Sequence, residues 1–507
     1  MFRTLVGKEI AEMMLGLRFA IATLLCVVLI PLGMYVSRKD YEHRLASYQR
    51  ELQTYRQRYG TPTEALSNME VQGFRPPLIL SIFASGLDPF ISDKVFTSRS
   101  GLFRAAKKAG IDNPQSLLFG KADFLFNVMF IISLIALIFT FNSISGEREK
   151  GTLRLMIANS IPRNRILLSK IVGRYIVLLV PFMISVFIAL LILETSPVVS
   201  IGSPEVWPAL LVILVVTGLF IFGMVSLGVC ISTFTLHSMG SIVLLFFVWA
   251  MFIIGVPRMS PMIAESIYPV ESGSVFSFRK RMVRDDIEKQ FEQVKKETID
   301  PKRDAERGPL IEATRLKSIE IAERERAEGK EPSIKAVEEL NKRFNERLRE
   351  IEAKYEPQTQ HLFEECQRRI ASELNRIEQD YRNRRNIQFS IAMNLARISP
   401  VSCYAYIVSG LSGTGIAEPD NFVRNARMFQ DQIKQILYDK VYHRFDKSII
   451  VEGFDYSNPP SIPDMNYRYS TLTEALQMHW PDILLLCLFN VMFCALALMR
   501  FNRYDVR

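Results

Sequence analysis

The sequence contains few cysteines and none of several short motifs that mark common enzymes. Six cysteines in 507 residues exclude a small scaffold held together by disulfide bonds. No H-E-x-x-H or C-x-x-C pattern occurs, so zinc sites of those two kinds are not encoded. The phosphate-binding loop G-x-x-x-x-G-K-[ST] is also missing. We therefore expect no ATPase activity from this chain, and no cofactor or metal ion.

Charged residues are missing from several long stretches, although they make up 23% of the chain. The apolar share is 49% and the mean hydropathy is +0.13. Residues 207–257 contain no Lys, Arg, Asp or Glu at all. The net charge of +9 is spread along the chain, which does not favour a nucleic-acid partner. This division predicts an integral membrane protein with large water-exposed parts.

Six segments are long and apolar enough to cross a hydrocarbon core of about 30 Å. They are residues 17–36, 122–142, 171–194, 207–233, 239–257 and 481–500. A helix buried in a soluble core is the alternative for any one of them, but a poor account of all six. The predicted fold class is an all-α membrane protein with six transmembrane helices.

The positive charges of the short loops predict how the chain is oriented in the membrane. The loop 143–170 is rich in Arg and Lys, whereas residues 195–206 contain neither. Basic short loops face the cytoplasm. The loop 143–170 and both termini are therefore predicted inside, with residues 1–16 as a cytoplasmic amphipathic helix. Residues 37–121 and 259–480 then form a large, mostly helical extracytoplasmic domain, inserted after spans one and five.

A regular apolar seam follows the first span. Its residues are Tyr41, Leu45, Tyr48, Leu52, Tyr55 and Tyr59, spaced alternately four and three apart. This heptad spacing predicts that the first span continues outward as a helical stalk, which Gly60 and Pro62 end. A coiled coil and a helix packed on some other surface both agree with the pattern.

The second outer segment reads as helical from about Phe278 to Ile391, with breaks near Gly308–Pro309 and Gly329–Pro332. Residues 389–415 turn apolar again but are interrupted by Arg397, Pro400 and several glycines. A re-entrant helix and a core segment of the outer domain both fit. For Cys366 and Cys403, both predicted outside, a disulfide and two separate thiols remain open.

The cytoplasmic loop carries the most specific signal. It reads Ser145-Gly-Glu147-Arg-Glu149-Lys-Gly151-Thr152-Leu153 and continues through Leu155 and Met156. Gly151 breaks the chain, Thr152 can cap a helix, and residues 153–157 begin a short amphipathic helix. A short helix with apolar side chains in a charged frame suits docking to a cytosolic protein.

This S-G-E-x-E-x-G-T-L pattern and its position resemble the coupling-helix region of permease subunits of type-2 ABC exporters. The family also has six spans, an N-terminal amphipathic helix and a membrane-dipping element before the last span. The outer insertions, with residues 76–81 and 398–402, resemble a bacterial and archaeal subgroup that has a large extracytoplasmic helical domain. The resemblance places the chain in the cytoplasmic membrane of such a cell.

The resemblance implies cytosolic ABC ATPase subunits and a second permease, identical or paired, as partners. Glu147 and Glu149 would anchor the coupling loop, while Leu153, Leu155 and Met156 would fill a groove of the ATPase. The absence of ionisable residues at mid-membrane argues against a self-powered transporter. The alternative is a membrane scaffold or sensor that transports nothing. An extracytoplasmic partner protein is compatible with either function.

Labelling of single cysteines tests the predicted topology. Cysteines introduced at Gln53 and Glu339 should react with a membrane-impermeant reagent added to intact cells, whereas one at Asn159 should react only after lysis. External labelling at Asn159 would reverse the orientation and remove the loop from the cytoplasm.

Overall fold

The computed structural model describes residues 2–58, 71–97, 103–105, 122–158, 161–204, 206–327, 334–437 and 464–503. Tyr59, Gly60, Pro62, Asn159 and the predicted break at Gly329–Pro332 lie outside these residues. The chain forms two compact units. One consists of residues 1–259 and 394–507, and the other of residues 260–393.

The described residues contain six helices long and apolar enough to cross a membrane, which confirms the six predicted spans. The helices are α2 (Leu17–Arg58), α3 (residues 124–140), α6 (Arg163–Glu194), α7 (Trp207–Phe234), α8 (Ser238–Ile267) and α14 (Leu472–Asn502). A helix α1 (Phe2–Met14) precedes them, as the N-terminal pattern predicts. Two short helices, α4 (Ser145–Glu149) and α5 (Thr152–Ala158), lie between α3 and α6.

Two spans contain a π-helical segment, a feature that periodicity did not predict. It covers Asn127–Ile132 in α3 and Met251–Gly255 in α8. The two helices meet beside these segments, where Trp249 Nε1 donates a hydrogen bond of 2.9 Å to Ser133 Oγ. Such segments interrupt the regular α-helical ladder and often occur at functional sites.

The stalk is confirmed as a continuous helix, because α2 runs from the first span to Arg58. Its seam is packed: Tyr41 is buried, Leu45 packs against the main core, and the Tyr55 ring meets Phe74 edge-on at 5.6 Å. Gln49 and Gln53, off the seam, are exposed. Among the described residues, part of this seam therefore faces the segment 71–97 of the same chain rather than a second long helix.

A small sheet lies beside the stalk, although the sequence pattern did not indicate strands there. Strands β1 (Val71–Phe74), β2 (Lys94–Thr97) and β3 (Phe103–Ala105) pair antiparallel in that order. Helix α13 (Glu418–Leu437) shares a core with them. Its buried side chains are Phe422, Ala426, Phe429 and Ile433, whose spacing places them on one helix face.

A buried polar cluster ties the stalk to this region. Asp88 accepts hydrogen bonds from Arg44 of the stalk and from Arg75, which is itself buried. Tyr467 donates a hydrogen bond of 2.6 Å to Glu418, whose carboxylate lies 3.8 Å from Arg75. Burial raises the pKa of the Glu418 carboxyl above its usual value. Oppositely charged side chains thus compensate one another where water is excluded.

Residues 394–416 belong to the first unit rather than to the inserted one. Helix α12 (Pro400–Leu411) packs against α7 and α14, and its apolar side chains are part of the core that the spans form. It is therefore not a core segment of the unit 260–393. The residues Thr471-Leu-Thr-Glu474 match the pattern of a capping box, and the structure forms this capping box at the start of α14.

The unit 260–393 is helical, as predicted for this region. It contains α9 (Gly273–Thr298), α10 (Asp300–Ala327) and most of α11 (Ile334–Ala396). The predicted break at Gly308–Pro309 is wrong, because α10 continues through both residues and the chain instead breaks at Ile299. Gly308 and Pro309 are exposed, so solvent can satisfy the backbone groups that proline leaves unpaired.

The two cysteines predicted to lie outside are separate thiols. Cys366 and Cys403 are both free and buried, so the structure contains no disulfide between them. Cys366 packs with Ile287 and Ile370 in the core of the unit 260–393, and Cys403 lies in α12. Each acts as a small apolar side chain in its surroundings.

The seam can be tested by adding a charge to it. Leu45→Asp should lower the stability of the purified protein, because burying a leucine completely contributes about 1.5–3 kcal/mol and Leu45 is partly buried. Thermal unfolding in detergent measures the effect. Gln49→Asp, one turn away but exposed, is the matched control and should change little. Equal losses from both variants would mean that the seam has no special role.

Candidate functional site

The segment between α3 and α6 folds as two short helices joined by one left-handed residue. Gly151 has a φ of +73°, a conformation that other residues rarely adopt, and it separates α4 from α5. Thr152 begins α5, and its hydroxyl donates a 3.3 Å hydrogen bond to the carbonyl oxygen of Glu147. The predicted chain break at Gly151 and the short helix after it are therefore confirmed.

Residues 143–158 of this segment belong to the predicted coupling loop, residues 143–170, and we keep the name coupling loop for them. They are bonded to the end of α7 and to the turn between α7 and α8. The backbone N–H groups of Ile144 and Ser145 donate to Ser232 Oγ at 3.0 and 3.1 Å. The Arg148 guanidinium donates to the Thr235 carbonyl oxygen at 2.8 Å. These bonds fix the start of the loop against the end of α7.

Glu149 connects the loop to the first turn of α8. Its carboxylate accepts hydrogen bonds from the backbone N–H and the hydroxyl of Ser238, at 2.9 and 2.7 Å. Ser238 is the first residue of α8, where N–H groups have no partner within the helix. A carboxylate at a helix N-terminus also interacts favourably with the helix dipole. Glu149 thus stabilises the start of α8 from outside that helix.

A buried lysine joins the loop to α6 and α1. Lys170 in α6 is fully buried, and its Nζ lies 2.7 Å from Glu9 Oε1 and 2.6 Å from Glu147 Oε1. Arg174, one helical turn later, lies 3.7 Å from Glu9 and also donates to the Phe139 carbonyl oxygen. One ammonium group therefore holds carboxylates from two other segments of the chain.

Helix α1 approaches α6 closely at this point. A side-chain carbon added at Gly173 would lie 2.9 Å from Glu9 Cβ, so only glycine fits there without a shift. Burial raises the pKa of the Glu9 carboxyl, but the charges of Lys170 and Arg174 outweigh this effect, and the pKa lies below its usual value. Glu9 therefore remains an anion at neutral pH and keeps its pairing with Lys170.

The predicted docking residues do not share one environment. Leu153 is completely buried in the chain's own core, whereas Leu155 is 72% exposed. Met156 is partly buried and packs against the same core. Side chains two positions apart in a helix point in different directions. Leu153 therefore attaches α5 to the protein, whereas Leu155 faces outward. Of the three, Leu155 alone presents most of its side chain to a partner.

Sequence reasoning missed the residues that hold the loop in place. Lys170 counted only as one of the positive charges of the loop 143–170, and neither Arg174 nor Glu9 was singled out. A signal was present in the sequence: two cations four residues apart lie at the start of an apolar run. Nothing in the sequence indicates which anions they bind, because Glu9 is 161 positions away from Lys170.

Comparison with known proteins identifies the kind of chain to which this loop belongs. A family model described as "ABC-2 family transporter protein" matches residues 3–506. No curated protein matches the chain.

Removal of the buried cation tests this site. Lys170→Met leaves Glu9 and Glu147 without their shared ammonium group, and breaking a buried ion pair costs about 3–5 kcal/mol. Unfolding of the purified protein in a denaturing detergent measures the loss. Arg165→Met, on the same helix but exposed, is the control and should stay near the wild-type stability. A stable Lys170→Met protein with α1 still attached would contradict the assigned role.

Proposed function

The chain belongs to the ABC-2 transporter family, and from this premise we propose that it is the permease subunit of an ATP-driven exporter. A separate cytosolic ATPase supplies the energy and acts on this chain through residues 147–157. This chain hydrolyses no ATP itself in the proposal, which agrees with its lack of a phosphate-binding loop.

The observation that carries the proposal is the exposed Leu155 on an otherwise anchored helix. Leu155 is 72% exposed, while Leu153, two positions away, is fixed in the core. An exposed leucine that enters an apolar groove of a partner gains free energy by leaving water. Because α5 is attached to the permease through Leu153, a force applied at Leu155 reaches the rest of the chain.

The contacts of the coupling loop supply routes for that force. Glu147 reaches α6 through Lys170, and Lys170 reaches α1 through Glu9. Glu149 reaches α8 through Ser238. ATP binding to the partner would change the preferred position of the loop and so shift the spans between two arrangements. Glu147 and Glu149 then act within this chain rather than on the surface of the ATPase.

The orientation is part of the proposal. With the coupling loop in the cytoplasm, both termini are inside, and residues 37–121 and 259–480 are extracytoplasmic, apart from α12, which packs among the spans. The charge asymmetry of the short loops supports this arrangement. A second permease, identical or paired, completes the pathway, and the outer helices receive the cargo or pass it on. The apolar spans favour hydrophobic or lipid-linked cargo.

A single substitution at Leu155 tests the coupling. Leu155→Asp places an unpaired charge in the proposed apolar contact, where such burial is costly. The variant should insert and fold normally, because the side chain faces outward in the free chain. Purification of the permease in detergent, followed by mass spectrometry, should then show at least a tenfold loss of the co-purifying subunit that carries a phosphate-binding loop, since each ~1.4 kcal/mol changes affinity tenfold.

Leu316→Asp is the matched control for that experiment. Leu316 is a helical leucine with 59% exposure in the unit 260–393, so the same charge is added without touching the loop. The control should retain the ATPase and its activity. If Leu155→Asp keeps a normal complex that hydrolyses ATP, residues 147–157 are not the coupling site. If no such subunit binds even the wild-type protein, the non-transporting scaffold becomes the better account.

A further inference from the structure

A short helix fills the space between two spans. Helix α12 packs against α7 and α14, and its Tyr404 is fully buried. The Tyr404 ring stacks on Phe220 of α7 with centroids 4.4 Å apart, and its hydroxyl lies 3.0 Å from Thr217 Oγ1. With only 12 residues, α12 is too short to cross a membrane. It therefore occupies the bundle without being one of its spans.

A partly buried ion pair holds the start of α12 to α14. Arg397, just before α12, donates to both carboxylate oxygens of Asp482, at 2.6 and 3.2 Å. Asp482 is fully buried, and His479 Nδ1 lies 3.1 Å from the same carboxylate. Buried ion pairs contribute little net stability, because desolvation offsets their attraction, but they fix one arrangement of the segments that carry them.

A second bond attaches the start of α12 to α8. Ser399 Oγ donates a hydrogen bond of 2.7 Å to the carbonyl oxygen of Phe252. Phe252 lies in the π-helical segment Met251–Gly255, where the regular hydrogen-bond ladder is interrupted. Ser399 also caps α12, because its side chain accepts from the Val401 N–H. A displacement of α8 at Phe252 would act directly on the first turn of α12.

The far end of α12 is also closely packed. Gly410 lies directly against the ring of His479, with no room for a side chain. His479 thus contacts α12 near its end and Asp482 near the ion pair. Helix α12 is held at both ends by groups of α14, and near its start by α8.

Helix α8, like α7, contacts both the coupling loop and α12. Glu149 binds α8 at Ser238, and Ser399 binds it at Phe252. These positions are 14 residues apart, or about 21 Å along a helix. Movement of the coupling loop can therefore reach α12 through one helix.

We propose that Arg397 and Asp482 form a latch that holds α12 between α7 and α14 at rest, and that ATP-driven movement of α8 opens it in each transport cycle. This inference rests on the proposed function and assigns Arg397, Asp482 and Ser399 as positioning residues. They set the position of α12 and do not bind the cargo.

The native thiol of Cys403 reports on this movement. Cys403 lies in α12, is fully buried, and bonds to the carbonyl oxygen of Arg397 at 3.5 Å. Burial raises the pKa of this thiol to about 12, so it reacts slowly while α12 is in place. The complex of permease and ATPase is treated with N-ethylmaleimide, and the modified Cys403 peptide is quantified by mass spectrometry over time.

The latch predicts a specific pattern of labelling. Wild-type Cys403 should react slowly without nucleotide and faster during ATP hydrolysis. Asp482→Asn should react about tenfold faster or more without ATP, since it loses charge-assisted hydrogen bonds to Arg397. Arg397→Lys keeps the positive charge but loses the bidentate geometry. Without ATP, its labelling rate should therefore lie between those of the wild type and of Asp482→Asn. A merely structural role would not make the wild-type rate depend on ATP.

Arg468→Gln provides the matched control. This substitution removes the ion pair between Arg468 and Glu474. Glu474 lies at the start of α14, the helix that also carries Asp482, but this ion pair is largely exposed. Its labelling should equal the wild type. The latch is refuted if folded Asp482→Asn labels at the wild-type rate. It is equally refuted if wild-type Cys403 ignores ATP while the bound ATPase hydrolyses it.

The possible outcomes of this experiment can be told apart. If Asp482→Asn does not fold, Arg397→Lys and the ATP response of the wild type decide the question. An ATPase that fails to bind wild-type protein would overturn the proposed function, whereas a bound, active ATPase with unresponsive Cys403 labelling would overturn the latch alone.

Discussion

The arrangement of the coupling loop depends on one buried ammonium group, that of Lys170. It binds Glu9 and Glu147 at hydrogen-bond distance, and no water reaches it. A buried charge without a partner is costly, so the buried ammonium group of Lys170 requires these carboxylates. Helix α1, the coupling loop and α6 are consequently positioned together. Any change in the position of the loop must move both helices with it or break these pairs.

Hydrogen bonds and ion pairs between the helices of an apolar bundle depend more strongly on direction than apolar contacts do. A hydrogen bond or an ion pair restricts the distance and the angle between its two groups more narrowly than a contact between leucine and valine side chains does. In the described residues the spans of this permease have such contacts at Lys170, at Ser238, at Phe252 and at Asp482. The first two bind the coupling loop, and the last two bind α12. The polar contacts thus connect the segments that the proposed cycle must move.

The stalk shows what a sequence pattern can predict and what it cannot. The heptad spacing of Tyr41 to Tyr55 predicted a helix with one packed face. In the structure α2 is helical over these residues, and this face is packed. The spacing could not identify the partner, since any apolar surface satisfies the same face. Part of that partner is the segment 71–97, which contains short strands and 3₁₀ turns that no simple periodicity marks. Gly308 and Pro309 illustrate the opposite error: residues that often end helices lie within α10, on its exposed side.

The sequence by itself determined the properties that depend on neighbouring residues. The six spans follow from uninterrupted apolar runs, the turn between α4 and α5 from Gly151, and the start of α14 from the capping box at Thr471. Only the tertiary structure decided which leucine of α5 is buried and which anions pair with Lys170. It also decided that Asp482 meets Arg397, 85 residues earlier. Such pairings form because burial removes water from charged groups that are distant in sequence, and that proximity exists only in the folded chain.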